Sequence, residues 1–265
     1  MRTLLGRALV ADHEVTAGLR LSDPSSEGLL SFSGQSYGFY ADRMAAARAL
    51  QDWPGVVATG QKAFAMAASD PRTRQFAFRE QAAILAIGYA RVGRLAEARA
   101  LLGKTLLDCE SCLAARAWVA ELAGDHAAAD RWFAELERAD PEIPFPDAEW
   151  AQALLERGDL DGAIAKAQRA HRKGPRYAEP METWGDALMA GRDYAGAASR
   201  FAGADKYAPR WGRNHLRWGE ALMFQGRYAE ARAQYEAASG MDLSKPDRAA
   251  LNVLLARTAM GPLHG

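Results

Sequence analysis

Trp150, Trp184 and Trp218 stand 34 residues apart, and most of what lies between them repeats in step. Gly185 and Gly219 follow the second and third Trp, and Ala151 follows the first. Leu154, Leu188 and Leu222 come four residues after each Trp, and Ala163, Ala197 and Ala231 thirteen after. Further on stand Ala167, Phe201 and Tyr235, then Ala170, Ala204 and Ala238, with Pro175 and Pro209 closing two of the units. A fixed period of this length marks one helical hairpin copied and stacked, because a single copy cannot bury its own apolar face.

Each unit has the same internal order. A first helix carries large apolar residues at helical spacing, with a small residue beside them where two backbones approach. A turn centred on Gly158, Gly191 or Gly226 follows, where glycine can take the left-handed conformation that ends a helix. The second helix then places residues such as Ala197, Phe201 and Ala204 on one face. Pro209 stops it, having no N–H to continue the ladder. The pattern Trp-Gly-x-x-Leu, Ala-x-x-x-Phe/Tyr, Pro resembles the tetratricopeptide repeat. The resemblance covers 144–177, 178–211 and 212–245, extends to 110–143 and to a three-residue-shorter unit at 79–109, and weakens at 37–70 within a degenerate stretch 37–78. It implies an all-α, right-handed α-solenoid of stacked antiparallel hairpins.

The ends are expected to differ from the repeats. Residues 246–265 read as a closing helix and tail, with Ser244 or Asp247 as the cap and Leu251, Leu254 and Leu255 covering the last unit. Residues 1–36 read as a helix from Thr3 to Leu21 followed by an irregular Ser-, Gly- and Asp-containing connection. The first fourteen residues are too short and too interrupted by charge for a secretory leader, and no apolar run approaches ~20 residues. A cytoplasmic setting with no membrane association is the expectation.

Lys plus Arg and Asp plus Glu both number 33, so the basic excess usual among nucleic-acid binders is absent. The charge is zoned, however. Residues 134–162 carry nine acids against two basic residues, and 166–217 carry eleven basic residues against five acids. Such zones are more often solvated helix faces than docking sites.

Little in the chain points to catalysis. The five His residues fall into no nucleophile–base order, and the glycines fall at repeat turns rather than in a phosphate-binding loop. Cys109 and Cys112 form a lone Cys-x-x-Cys. Metal binding would need a second ligand pair, which the sequence does not supply at zinc spacing. The bland reading is packing in a short inter-repeat turn; the rival is a redox pair that regulates the angle between units. No cofactor or metal is expected.

Function is therefore expected on a surface. In the family this chain resembles, first helices line a concave groove that holds extended or helical segments of protein partners. Carried over position by position, the lining is Trp118 and Glu121; Gln152, Leu155 and Glu156; Glu182, Asp186 and Met189; and Arg213, Leu216, Arg217, Glu220, Met223 and Phe224. Met suits adaptable contacts. The three repeat tryptophans are expected in the core, while Trp118 faces the groove. Arg213 and Arg217 match the basic pair of carboxylate-clamp members, but Ala148, Gln152 and Thr183 stand where such members carry Lys and Asn, so the resemblance does not imply chaperone binding. The expectation is a non-enzymatic scaffold for a protein or peptide partner, monomeric or weakly self-associating. A structural scaffold that associates with itself is the alternative.

Overall fold

The computed structural model describes residues 10–11, 13–22 and 37–259, and among them every regular element is helical. The fold is all-α, with successive antiparallel hairpins packed side by side. The chain divides into two compact units, one holding Val15–Pro141 and the other running from Glu142 onward with His13 and Glu14. That division lies inside the stretch 79–245 expected as one array.

The first unit comprises α1 (Val15–Ser22), α2 (Tyr37–Ala49), α3 (Trp53–Ser69), α4 (Arg74–Phe76), a π-helical turn over Ala77–Gln81, α5 (Ala82–Arg91), α6 (Leu95–Leu102), α7 (Glu110–Leu122) and α8 (His126–Ala139). The second comprises α9 (Phe145–Arg157), α10 (Leu160–Lys173), α11 (Glu179–Ala190), α12 (Tyr194–Asp205), α13 (Gly212–Phe224), α14 (Tyr228–Ser239) and α15 (Lys245–Ala259). The expected single helix Thr3–Leu21 is not formed as such. Its described part is broken at His13, whose φ of 65° cannot continue a right-handed helix, and α1 starts anew at Val15; residues 3–9, residue 12 and the whole of 23–36 lie outside the described residues.

The turn between the two helices of a hairpin is the most regular feature of the array. Gly93, Gly124, Gly158 and Gly226 all have φ between 76° and 87°. Gly191, expected to play this part, has an ordinary φ of −77°; the left-handed residue is its neighbour Arg192, at 65°. Residue 192 lies 34 positions from both 158 and 226, so the backbone follows the register of the repeat rather than the residue type. Gln51 takes the same conformation at 54° between α2 and α3. After the turn comes the cap: Asp52, Asp125, Asp159 and Asp193 accept the N–H of Gly55, Ala128, Gly162 and Gly196. A free first-turn N–H satisfied in this way is worth about 1 kcal/mol. Arg94 and Arg227 occupy the corresponding place without capping, and each instead pairs with a Glu three residues on, Glu97 and Glu230.

In three of the hairpins a small residue stands opposite a large buried ring. Phe133, Phe201 and Tyr235 are wholly buried on second helices, and the first-helix residues sixteen positions earlier are Ala117, Gly185 and Gly219. At the end of the second unit, Ser244 caps α15 by accepting the Asp247 N–H at 3.1 Å, and Leu251 and Leu254 join the core beside Leu222 and Tyr235.

The repeat tryptophans depart from the expected core placement. Trp150, Trp184 and Trp218 are only partly buried. Two of them are covered on the outer face from the second helix: Lys166 Nζ lies 3.5 Å from the Trp150 ring centroid, and the Arg200 guanidinium 4.2 Å from that of Trp184. The fully sheltered tryptophans are Trp118 and Trp211. Trp211 packs with Ala178, Met181, Ala204 and Ala208, and the His13 ring stacks on it at 4.0 Å.

Candidate interaction surface

In the second unit the first helices α9, α11 and α13 stand next to one another, so side chains from consecutive repeats meet. Thr183 Oγ1 donates to Gln152 Oε1 at 3.2 Å, and Gln152 Nε2 donates to Glu156 Oε1 at 3.2 Å. Between α11 and α13, Arg213 Nε lies 3.1 Å from Glu182 and its Nη2 donates to Asp186 at 3.1 Å. Arg217 lies 3.6 Å from Asp186 and donates to Glu220 at 2.8 Å. Gln152, Glu156, Glu182, Asp186, Arg213, Arg217 and Glu220 are thus brought into two polar runs, each spanning neighbouring repeats.

These charges are engaged with each other. Glu182 is 2% exposed, and the adjacent Arg213 is in ion-pair range but off the direction of a hydrogen bond. Burial therefore outweighs the attraction of Arg213 and pushes the Glu182 carboxyl up to about 7. The two arginines, read from the sequence as a possible fork for a partner's carboxylate, already hold three carboxylates of this chain. The oppositely charged zones also pair internally: the wholly buried Asp147 has Lys173 Nζ at 2.6 Å, Arg169 Nε at 3.4 Å and Lys166 Nζ at 3.5 Å.

Apolar members of the expected lining fall into two groups. Leu155, Met189 and Met223 are partly buried at the edge of the hairpin cores. Phe224 is 57% exposed and stacks on Tyr194 at 4.8 Å, with the two rings nearly parallel. Leu216 is different: at 1% exposure it belongs to the core with Phe201, Leu222 and Tyr235.

In the first unit, Trp118 is likewise sheltered, at 4% exposure, edge-on to Phe133 and beneath the Arg91 guanidinium. The Glu121 side chain is also buried, with His126 Nδ1 at 2.9 Å. Neither residue is presented to solvent, because α7 turns this face toward its neighbours. Cys109 and Cys112 are both buried and are joined as a disulfide at the start of α7. The pair is thus both packed into the inter-repeat connection and bonded to itself.

Two polar centres escaped the sequence reading. Asn214, wholly buried, donates to the Phe201 carbonyl at 3.0 Å and ties α13 to α12. His215 Nδ1 lies 2.8 Å from Gln234 Oε1, and its Nε2 lies 3.1 Å from both the Pro209 carbonyl and Asp205. Asn214 and His215 do not recur in other repeats, so periodicity carries no trace of them. Among the described residues, no group of three or more His, Cys, Asp or Glu is placed to hold a metal ion, and no helix is long and apolar enough to cross a membrane.

Stacked hairpins with left-handed turns at a 34-residue spacing and small residues opposite buried aromatics define the tetratricopeptide-repeat fold. Solved structures of this type resemble the chain. PilF of Pseudomonas aeruginosa matches with a TM-score of 0.54 and 18% identity, over 71% of this chain and 95% of that one. Yeast Tom70 matches with a TM-score of 0.63 and 14% identity, over 97% of this chain and 55% of that one. Both are tetratricopeptide-repeat proteins. No family model and no curated protein matches the sequence.

Proposed function

We propose that this chain is a non-enzymatic protein-interaction module that holds a segment of another protein against the first helices of its second unit. One observation carries the reading. Side chains from α9, α11 and α13 meet in polar runs across consecutive repeats, and beside them Leu155, Met189, Met223 and Phe224 keep apolar surface outside the hairpin cores. Such a surface is preformed, so a partner meets little ordering cost on the module's side. Phe224 on Tyr194 is its most exposed aromatic anchor, the residue type that dominates binding energy at protein interfaces.

The mutually paired charges divide the labour. Glu182 and Arg213 hold α11 to α13, while Glu156 and Phe224 are exposed and supply contact. The test is affinity capture with the full chain as bait, comparing wild type with Phe224→Ala and Glu156→Lys. Both variants are expected to melt as the wild type does and to lose the wild-type partners. Capture of the same partners at undiminished yield by both variants would place the binding surface elsewhere.

A further inference from the structure

The shortest repeat, 79–109, ends on the first cysteine of the Cys-x-x-Cys, and its second helix is the short element: α6 has 8 residues, against 12 to 14 in α8, α10, α12 and α14. Helix α6 ends at Leu102, and the chain runs irregularly to Cys109, the N-cap of α7. Cys109 has an extended backbone, and its Sγ accepts the Cys112 N–H at 3.2 Å. Both sulfurs rest on carbonyls of the π-helical turn. Cys109 Sγ lies 3.4 Å from the Arg79 oxygen, and Cys112 Sγ lies 3.5 Å from the same oxygen and 3.7 Å from that of Phe78.

The connection is anchored independently of the sulfur–sulfur bond. Arg79 donates to Asp108 at 2.7 Å, and Ser111 Oγ donates to Glu80 at 3.0 Å. The Arg116 guanidinium donates to the carbonyls of Leu102, Thr105, Leu106 and Cys112 at 2.9 to 3.4 Å. Opening the bond therefore leaves the cap, the ion pair and the four-carbonyl clasp in place. A disulfide across so short a loop also contributes little chain-entropy stabilisation compared with one closing a long loop. Its two residues are unequal: Cys112 is 0% exposed and Cys109 7%.

We propose that Cys109 and Cys112 form a reversible dithiol–disulfide site for small-molecule thiols and their disulfides, entered at Cys109. An incoming thiolate attacks Cys109 Sγ, a mixed disulfide forms, and the electron pair of the broken S–S bond leaves on Cys112 Sγ. That sulfur lies in the first turn of α7 against the Phe78 and Arg79 carbonyls, to which its thiol can donate once it has taken a proton. A second thiolate attacks the external sulfur of the mixed disulfide and expels Cys109 as a thiolate. The two protons given up by the incoming thiols pass through solvent to the two cysteines. Two small thiols are oxidised to one disulfide as the pair is reduced, and a small-molecule disulfide drives the reverse. This site lies in the first unit and does not depend on where a protein partner docks.

Glutathione is the probe. The native full-length chain is equilibrated with reduced glutathione, returned to oxidised glutathione, quenched in acid at each stage, alkylated and weighed intact. Both thiols are expected to appear together without denaturant and to disappear on return. In parallel, Cys112→Ser is exposed to oxidised glutathione and is expected to gain one glutathione at Cys109, while Cys109→Ser gains none. A bond that survives excess reduced glutathione until denaturant is added would overturn the proposal, as would an unmodified Cys112→Ser with intact helical circular dichroism. Equal labelling of the two variants would overturn entry at Cys109. If a variant fails to fold, the wild-type titration still decides reversibility.

Discussion

Gly219 in α13 lies so close to Tyr235 in α14 that a methyl group on it would stand 2.3 Å from Tyr235 Cε1. The same relation holds one repeat earlier, where a methyl on Gly185 would stand 2.6 Å from Phe201 Cε1. Both rings are wholly buried and cannot swing aside. Replacing a mid-helix glycine by alanine normally gains up to about 1 kcal/mol from propensity. Here overpacking costs roughly 1–3 kcal/mol and wins.

Gly219→Ala and Gly185→Ala are each expected to destabilise the chain by about 1–2 kcal/mol, read as a lower urea midpoint at unchanged slope. The pairing of Ala117 with Phe133 in α7–α8 sets the limit of that estimate, since there a helix pair accommodates alanine opposite an aromatic ring. An unchanged or raised midpoint in both variants would mean that α13 and α14 can separate at little cost.

Arg192 is the non-glycine exception among the hairpin turns from Gly93 to Gly226, held at φ 65° and exposed. A side chain in the left-handed region costs roughly 1–2 kcal/mol, and glycine gives back part of that through the greater freedom of its unfolded chain. Arg192→Gly is expected to raise stability by about 0.5–1 kcal/mol, and the mirror substitution Gly158→Arg to lower it by at least as much. Thermal melts of the two variants check both signs together.

Asp147 is wholly buried at the start of α9 and faces Lys166, Arg169 and Lys173 of α10. A carboxylate in such a place is costly to desolvate, but removing it alone leaves sheltered cations without its compensation. Asp147→Asn is expected to cost about 3 kcal/mol or more. Added salt is expected to recover little of the loss, because the site is shielded from the ionic atmosphere. A change below about 1 kcal/mol, the range of exposed pairs, would show that the cations relax to solvent.

What could be read from the chain is what recurs. The 34-residue register located the helices, the turns and the small residues opposite Phe201 and Tyr235. It also contained a relation that residue-by-residue reading missed. Sixteen positions separate Trp150 from Lys166 and Trp184 from Arg200, and the same interval separates Arg116 from Trp132. In α7–α8 the cation and the ring have changed helices while keeping the contact, at 5.7 Å against 3.5 and 4.2 Å. The half-buried state of Trp150 and Trp184 fits this, because a ring covered by a cationic chain needs an outward face; at Trp218 the corresponding residue is Gln234.

The candidate surface was legible as a set of positions and not as a set of states. Register placed Glu182, Asp186, Arg213 and Arg217 on neighbouring first helices, but not their pairing with each other, which depends on helix separation and side-chain direction. For the same reason Leu216 and Trp118 passed as surface residues: a turn of a few tens of degrees about the helix axis moves a side chain from groove to core. Asn214 and His215, present in one repeat only, had no periodic signal at all.

Glu182 makes stability depend on pH in a direction opposite to that of an ordinary salt-bridged carboxylate. Burial raises its carboxyl from 4.5 to about 7 against the pull of Arg213. Between those values the folded chain holds a proton that the unfolded chain has released. The contribution is therefore fully present below 4.5 and is lost as pH rises through about 7. Glu182→Gln has no such proton and keeps a hydrogen-bonding side chain of the same shape, with Asp186 still paired to Arg213. Relative to wild type, the variant is expected to gain stability steadily across that window and to level off above it. The slope of the difference cannot exceed about 1.4 kcal/mol per pH unit, the value for one whole proton. Urea unfolding of both proteins at a series of pH values measures this difference directly, and other titrating groups cancel from it. A difference that is flat, or that falls with rising pH, would mean that Arg213 compensates the buried carboxylate fully and that α11 and α13 are joined by an ordinary ion pair.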